Sequence, residues 1–491
     1  MKTQQMYIDG RWRESASGER FPAVNPFNQE TWASIPQAAD SDVEEAIAAA
    51  TRAFHRVWSK TNGLQRGELM RKLADLLEAD ADRLATMEST DNGKVIRETR
   101  PQMSFAARQY RFFAGYADKL WGRQIPLDSP QILDYASREP VGVAVLITPW
   151  NSPMHLLSNK LAPALAAGCC VVVKPSEHAS ATTLEFCRFV EQAGFPPGVI
   201  NVVTGDARTG KALANAKGID RLSFTGSPAV GREMAAAAGR NLVPVTLELG
   251  GKSPNMVFAD ANLDHAVVGA LAGIFAATGQ TCIAGSRLLV QRPVYEQMVE
   301  RLAARAKTIV LGNPVDPQTE MGTAANQPQF ERILSMIEAA KTSGARLVTG
   351  GGAAREGELG KGFFIQPTIF AEVRNDMTVA QEEIFGPVLS IIPFDDEEEA
   401  IAIGNDTRYG LAAGIWTTNL SRALRVSKAI RAGQIWVNTY RAVAAQSPFG
   451  GFKESGFGRE RGEAALEEFT ATRNVMIDFS DQMRDPFAIR T

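Results

Sequence analysis

The chain is 491 residues long, more than one compact core sustains, and the usual length prior divides it into two or three domains. Its 52 basic and 55 acidic residues are interspersed and leave a formal charge of -3, which excludes the basic stripe that a phosphate backbone requires and argues against a nucleic-acid partner. The first residues form no apolar targeting core, no run approaches the roughly 20 apolar residues that span a bilayer, and Cys169, Cys170, Cys187 and Cys282 are too sparse for a disulfide framework and lack zinc spacing. A cytoplasmic protein with no membrane partner and no metal is expected.

Residues 42–55 and 66–92 carry helical apolar periodicity and are expected to be long amphipathic helices packed on a sheet. Residues 122–140, where Pro126 and Pro130 precede the alternating Ile132, Leu133, Asp134 and Tyr135, follow no helix–strand rhythm. From 141 to 258 short β-branched runs alternate with helical stretches. Strands are expected at 141–148, 170–174, 199–203, 222–225 and 243–249, with helices at 156–167, 179–193, 209–216 and 228–238 between them. That alternation predicts a parallel sheet wrapped by helices, with ligands at the strand ends. A second α/β rhythm follows Gly251, with a helix at 262–276, a strand at 287–290 and a helix at 294–310, and it resumes after the glycines at 350–352.

Two segments carry chemistry. Gly279-Gln280-Thr281-Cys282-Ile283-Ala284-Gly285 isolates one cysteine among small residues, which suits a thiol that attacks a carbonyl. In Val245-Thr246-Leu247-Glu248-Leu249-Gly250-Gly251-Lys252 a carboxylate ends an apolar strand and meets two glycines, the placement of a base or, alternatively, of an ion pair with Lys252. Gly226-Ser227-Pro228-Ala229-Val230-Gly231 opens a helix after a strand, so its free N–H groups can receive a pyrophosphate. Gly205-Asp206-Ala207-Arg208-Thr209-Gly210-Lys211 begins like a phosphate-binding loop, but Ala212 stands where that motif needs a hydroxyl.

In this order Thr148-Pro149-Trp150-Asn151, Lys174-Pro175-Ser176-Glu177, Phe224-Thr225-Gly226-Ser227, the Glu248 and Cys282 segments, Glu382-Glu383-Ile384-Phe385-Gly386-Pro387 and Ser447-Pro448-Phe449-Gly450-Gly451 make the chain resemble the NAD(P)-dependent aldehyde dehydrogenase superfamily, from about residue 7 to about residue 477. The resemblance implies an α/β fold with a Rossmann-like NAD-binding domain (1–121 and 141–250), an α/β catalytic domain (251–470) and a small β oligomerisation element (122–140 and 471–491), assembled as a homodimer or homotetramer.

It also implies roles. Cys282 would be the nucleophile, passing through a thiohemiacetal and a thioester; Asn151 with the Cys282 N–H would hold the oxyanion; Glu248 would activate the hydrolytic water. Because the CoA-acylating branch generally lacks that base, a free acid is the expected product, with acylating or phosphate-directed semialdehyde dehydrogenases and a catalytically silent relative as alternatives. Lys160 and Glu460 match a proton relay, or else form a surface ion pair. The cofactor would meet Ile147, Thr148, Pro149, Trp150, Lys174, Ser176, Glu177, Gly205, Gly210, Phe224, Thr225, Gly226, Ser227, Val230, Leu249, Gly250, Glu383 and Phe385. Within that set Lys174 and Glu177 would hold the adenosine ribose, Glu383 the nicotinamide-side ribose, and Phe385 would pack near the ring. A carboxylate at Glu177 repels a 2′-phosphate and favours NAD over NADP. Substrate contacts are expected from Ser152, His155, Asn159, Thr281, Ile283, Arg441, Val443 and Phe449. Ser152 stands where relatives often carry an aromatic, and Ser152, His155 and Asn159 make the entrance more polar; Arg441 either reads a substrate carboxylate or faces solvent.

Overall fold

The computed structural model describes residues 2–481 and 487. Two sheets dominate. The first runs in the order Gly456–Phe457, Val245–Glu248, Arg221–Thr225, Val143–Ile147, Cys170–Lys174, Ile200–Val202, Met6–Ile8, Arg11–Arg13. Its five middle strands are parallel. Val143–Ile147, Cys170–Lys174 and Arg221–Thr225 are buried along their whole length, as helices on both faces demand, which is why they read as unbroken apolar runs rather than alternating ones. The chain leaves Val143–Ile147 toward one edge and returns on its other side at Arg221–Thr225. The crevice at the strand ends between those two is therefore where a ligand binds in such a sheet.

The second sheet runs Arg346–Thr349, Thr368–Ala371, Val388–Phe394, Arg287–Gln291, Pro254–Val257, Ala412–Trp416, Gln434–Val437, all parallel except the first pairing. Consecutive residues point to opposite faces, so Leu288 and Val290 join one apolar cluster while Leu289 joins another. Only residues 249–253 separate Glu248, the last residue of a first-sheet strand, from Pro254, the first of a second-sheet strand. Carboxyl ends of one sheet thus face amino ends of the other. A third, three-stranded sheet pairs Ile132–Pro140 with Thr470–Asp478 and Arg123–Ile125. Of the terminal segment expected to belong to it, 482–486 and 488–491 lie outside the described residues. Among the described residues no helix is long and apolar enough to cross a membrane.

Three expectations need correction. The helix read at 66–92 is two helices, Gly63–Ala79 and Ala81–Asn92, with Asp80 in a non-helical conformation between them; the apolar period continues across the break and hides it. Ile96–Ala114 is a further helix that the apolar pattern did not single out. Finally, part of the stretch grouped with 251–470 crosses back: Gly456–Phe457 pairs antiparallel with Val245–Glu248, and Ala465, Leu466 and Phe469 pack in the first sheet's core.

Candidate active site

Cys282 and Glu383 each stand five residues ahead of a strand, Arg287–Gln291 and Val388–Phe394, and those strands are paired. Their loops therefore project together toward the carboxyl ends of the first sheet. The glycines after Glu248 permit the approach. A Cβ at Gly250 would fall 1.9 Å from the Glu383 carboxylate, and one at Gly251 would fall 2.5 Å from the Cys282 carbonyl. Glu383 is anchored there by the Gly251 N–H, which donates to Oε1 at 3.0 Å.

Two cavities meet at the thiol, and Asn151, Leu156 and Cys282 line both. The first, about 480 Å³, runs between the sheets. Its walls include the expected Pro149, Trp150, Thr225, Gly226, Ser227, Glu248, Leu249, Gly250, Glu383 and Phe385, together with Gln329, Arg332 and Arg408, which the motifs did not single out. Ser227 caps the helix Pro228–Arg240, accepting from Val230 N–H, and Pro228 occupies the first helical position, where its missing N–H costs nothing. The Thr225 hydroxyl is buried without a hydrogen-bond partner among the described residues. Phe385 and Trp150 meet edge to face at 5.3 Å between ring centres. A helix amino end, an orphaned hydroxyl, a carboxylate and an aromatic wall fit a dinucleotide.

The other expected cofactor residues lie at neighbouring strand ends. Ile147 and Phe224 are register partners, Ile147 also pairs with Lys174, and Thr148 N–H donates to the Lys174 carbonyl. Lys174 is buried, with its ammonium 3.8 Å from Glu177 and 3.0 Å from the Pro175 carbonyl. Ser176 donates to Glu177 at 3.3 Å. Gly205 precedes and Gly210 sits within the helix Ala207–Asn215, and a Cβ at Gly210 would touch the Lys174 stem. Val230 is exposed in the first turn of the helix that Ser227 caps.

The Cys282 thiol is half-buried and its pKa is pushed up to about 12 by burial and by the Glu383, Glu248 and Glu460 carboxylates. At rest it is protonated. Glu248 is buried, neither oxygen has a hydrogen-bond partner among the described residues, and burial with the nearby Glu460 holds its carboxyl well above the usual range. Lys252 does not pair with it; that ammonium is buried without a hydrogen-bond partner among the described residues. Lys160 and Glu460 do form an ion pair, at 2.5 Å, but a fully buried one that also takes in the Ser223 hydroxyl at 2.9 Å. Asn151 donates its side-chain amide to the Gln280 carbonyl at 2.9 Å, two residues before the thiol. Its second amide hydrogen is left for another acceptor.

The second cavity, about 540 Å³, opens on the opposite side of the thiol. Every expected substrate residue lines it: Ser152, His155, Asn159, Thr281, Ile283, Arg441, Val443 and Phe449. So do Lys94, Glu98 and Phe105, from the turn and helix that precede Ala114, and Arg461. None of these four was picked out in the sequence, although Arg461 adjoins Glu460. Lys94 donates to the Ser152 hydroxyl and to Gln102 Oε1. His155 stacks on Phe105 at 4.6 Å, and Asn159 accepts from Gln109 at 2.7 Å. Arg441 is neither solvent-facing nor free, because Glu98 meets it at 3.2 Å. Phe449 and Glu460 exchange two backbone hydrogen bonds of 2.7 Å, an isolated bridge that joins the cavity wall to the buried pair. Phe385, Arg441, Arg461, Ala277 and Thr278 all have positive φ between 52° and 62°, so left-handed strain gathers around the thiol.

Comparison with known proteins follows this geometry. Residues 12–475 match the model of the Aldehyde dehydrogenase family. The chain is 44% identical to the (Z)-2-((N-methylformamido)methylene)-5-hydroxybutyrolactone dehydrogenase of Acinetobacter baylyi, with 100% of both chains covered. It is 45% identical to the mouse protein named aldehyde dehydrogenase, cytosolic 1, covering 97% of this chain and 95% of that one. A crystal structure of betaine aldehyde dehydrogenase from Staphylococcus aureus in complex with NAD+ superimposes with a TM-score of 0.97 at 38% identity, covering 99% of this chain and 97% of the other.

Proposed function

This chain belongs to the aldehyde dehydrogenase family and is an NAD(P)-dependent oxidoreductase acting on aldehydes, and from that premise we propose that it is a hydrolytic, NAD-preferring enzyme that releases a free carboxylic acid. The observation that carries this reading is the position of Cys282 where two cavities join, with the unpartnered Glu248 carboxyl lining one of them.

NAD, held by the walls of the inter-sheet cavity, supplies the hydride acceptor. The chain's own residues do the rest. The Cys282 sulfur gives up its proton to solvent in the cavity and bonds to the aldehyde carbon; the carbonyl electron pair moves to oxygen, where the free Asn151 amide hydrogen and the Cys282 N–H hold it. Loss of the carbon-bound hydride re-forms C=O and leaves a thioester. Glu248 then takes a proton from water, the water oxygen bonds to the acyl carbon, the C–S bond breaks, and the sulfur takes the proton of the carboxylic acid so formed, which leaves as its carboxylate. Glu460, beside Glu248 and bound to Lys160, is placed to pass the proton on Glu248 outward. Glu248 works as its anion while burial raises its pKa, so thioester hydrolysis should quicken as pH rises through that raised value.

The assignment of the first sheet to cofactor binding and of the second to catalysis is part of the same proposal. The preference for NAD rests on the Glu177 carboxylate, one third exposed at the end of a strand. The sheet of Ile132–Pro140 and Thr470–Asp478 presents Leu133, Tyr135, Met476, Ile477 and Phe479 to solvent, which supports a homodimer or homotetramer. Four free cysteines and the likeness to a protein named cytosolic support a cytoplasmic location.

Glu248→Gln tests the hydrolytic step. It should give a burst of NADH equal to the sites present and then a steady rate lower by about 10²-fold or more, in the range of a lost general base. Acceleration of the wild-type enzyme by CoA or phosphate would favour an acylating enzyme, and absence of NADH with any aldehyde a silent relative.

A further inference from the structure

Four cations line the substrate-side cavity; Arg97 is exposed and donates to the Pro317 carbonyl at 2.8 Å, and the charges of the other three are met differently. Arg441 is spent on Glu98, which also accepts from Ala277 N–H at 2.6 Å. Lys94, 5% exposed, donates its ammonium among the described residues only to neutral oxygens, those of Ser152 and Gln102. Arg461 is 3% exposed, its Nε is buried without a partner, and it has neither a hydrogen bond nor an ion pair among the described residues. What it does have is the Phe449 ring, 4.5 Å beneath it. A guanidinium uses its face for such stacking and keeps its N–H groups in the plane, free for a planar anion.

The anions nearby do not cancel that charge. Glu460 is committed to Lys160, and burial pushes Glu248 toward its uncharged form. All three cations bear on one imidazole: burial, then Arg461, Lys94 and Arg441, drive the His155 pKa down to about 3, so it stays neutral. Arg461 also adopts φ 60°, in the left-handed region. A desolvated, unpaired cation on a strained backbone is costly unless an anion completes it.

We propose that Arg461, with Lys94, receives a carboxylate carried by the aldehyde substrate, so that the enzyme's substrates are semialdehydes of dicarboxylic acids. This rests on the aldehyde oxidation proposed above and specifies its substrate class. Arg461 is a substrate-anchoring residue here, and Arg441 holds the wall through Glu98.

The test compares succinic, glutaric and adipic semialdehydes with butanal, pentanal and hexanal, following NADH. Wild-type kcat/KM should favour the charged member of at least one matched pair. Arg461→Met should lower that charged-over-uncharged ratio by about 10- to 100-fold, through KM, as expected for a lost charge-assisted hydrogen bond, and Arg461→Lys should restore part of it. Lys94→Met should lower the same ratio by a smaller factor. In case Arg461→Met folds poorly, protection of Cys282 from iodoacetamide by adipate provides a readout without turnover; adipate should protect the wild type and protect Arg461→Lys less at the same concentration, and equal protection of the two would count against Arg461 as the anchor. A ratio unchanged in Arg461→Met, or an equal loss on both members of each pair, overturns the proposal and assigns Arg461 to the thiol and Glu248. A wild type that prefers the uncharged aldehydes overturns it while leaving aldehyde oxidation standing. If none of the six is oxidised, the aldehyde reading fails first.

Discussion

On one side of Cys282 much of the wall comes from contiguous segments: Pro149 to Asn151, Thr225 to Ala229 and Glu248 to Gly250, each at the carboxyl end of a first-sheet strand. On the other side it comes largely from scattered single residues, among them Lys94, His155, Arg441 and Arg461, on helices and loops far apart in the chain. A dinucleotide is recognised through backbone N–H groups and strand ends, so its recognition leaves runs of residues. Substrate recognition asks for one charge here and one ring there. The first therefore writes longer motifs than the second, whose longest contiguous run is Thr281 to Ile283 around the thiol.

Residues that belong to both cavities break that division, and substituting them should have the largest effects. Cys282→Ala should reduce aldehyde oxidation to background while NAD still binds, as measured by fluorescence titration; appreciable turnover by this variant would remove the covalent mechanism. Asn151→Ala should lower kcat by about 10²–10³-fold, the usual loss for one oxyanion donor. It also cuts the link to the Gln280 carbonyl, and a matching fall in the melting temperature would show that this link matters for the fold as well as the chemistry. The smallest effect sharpens the cofactor side alone. Glu177→Gln should raise kcat/KM with NADP about 5-fold relative to NAD, since two unit charges about 4 Å apart in water repel by about 1 kcal/mol. An unchanged ratio would move cofactor choice to another residue.

The fold was legible where burial is two-sided. Val143–Ile147, Cys170–Lys174 and Arg221–Thr225 announce themselves as β-branched runs because helices cover both faces. The break at Asp80 was not legible, because Leu77 and Leu84 keep helical spacing across it and both are buried. Nor was the return of Gly456–Phe457 to the first sheet, because two residues carry no period. Within the site, Glu248 and Cys282 were legible beside the glycines that flank them, and Glu383 only through the family resemblance. Lys94 and Arg461 were not, because a basic residue after a turn reads as surface, and only the packing of the helix Ile96–Ala114 against Pro153–Ala167 encloses the space that Lys94 enters. The sequence likewise offers no sign that Glu98 occupies Arg441.

The backbone bridge between Phe449 and Glu460 has a consequence for altering this enzyme. One end carries a ring that shapes the substrate chamber and supports Arg461; the other carries the carboxylate bound to Lys160. A change that widens the chamber at Phe449 would pull on the segment that presents Glu460, so selectivity and the release of product should shift together. Variants chosen for a bulkier aldehyde through this wall would accumulate acyl-enzyme, and a compensating change would be sought around Ser223, where the same buried pair is held from the first sheet.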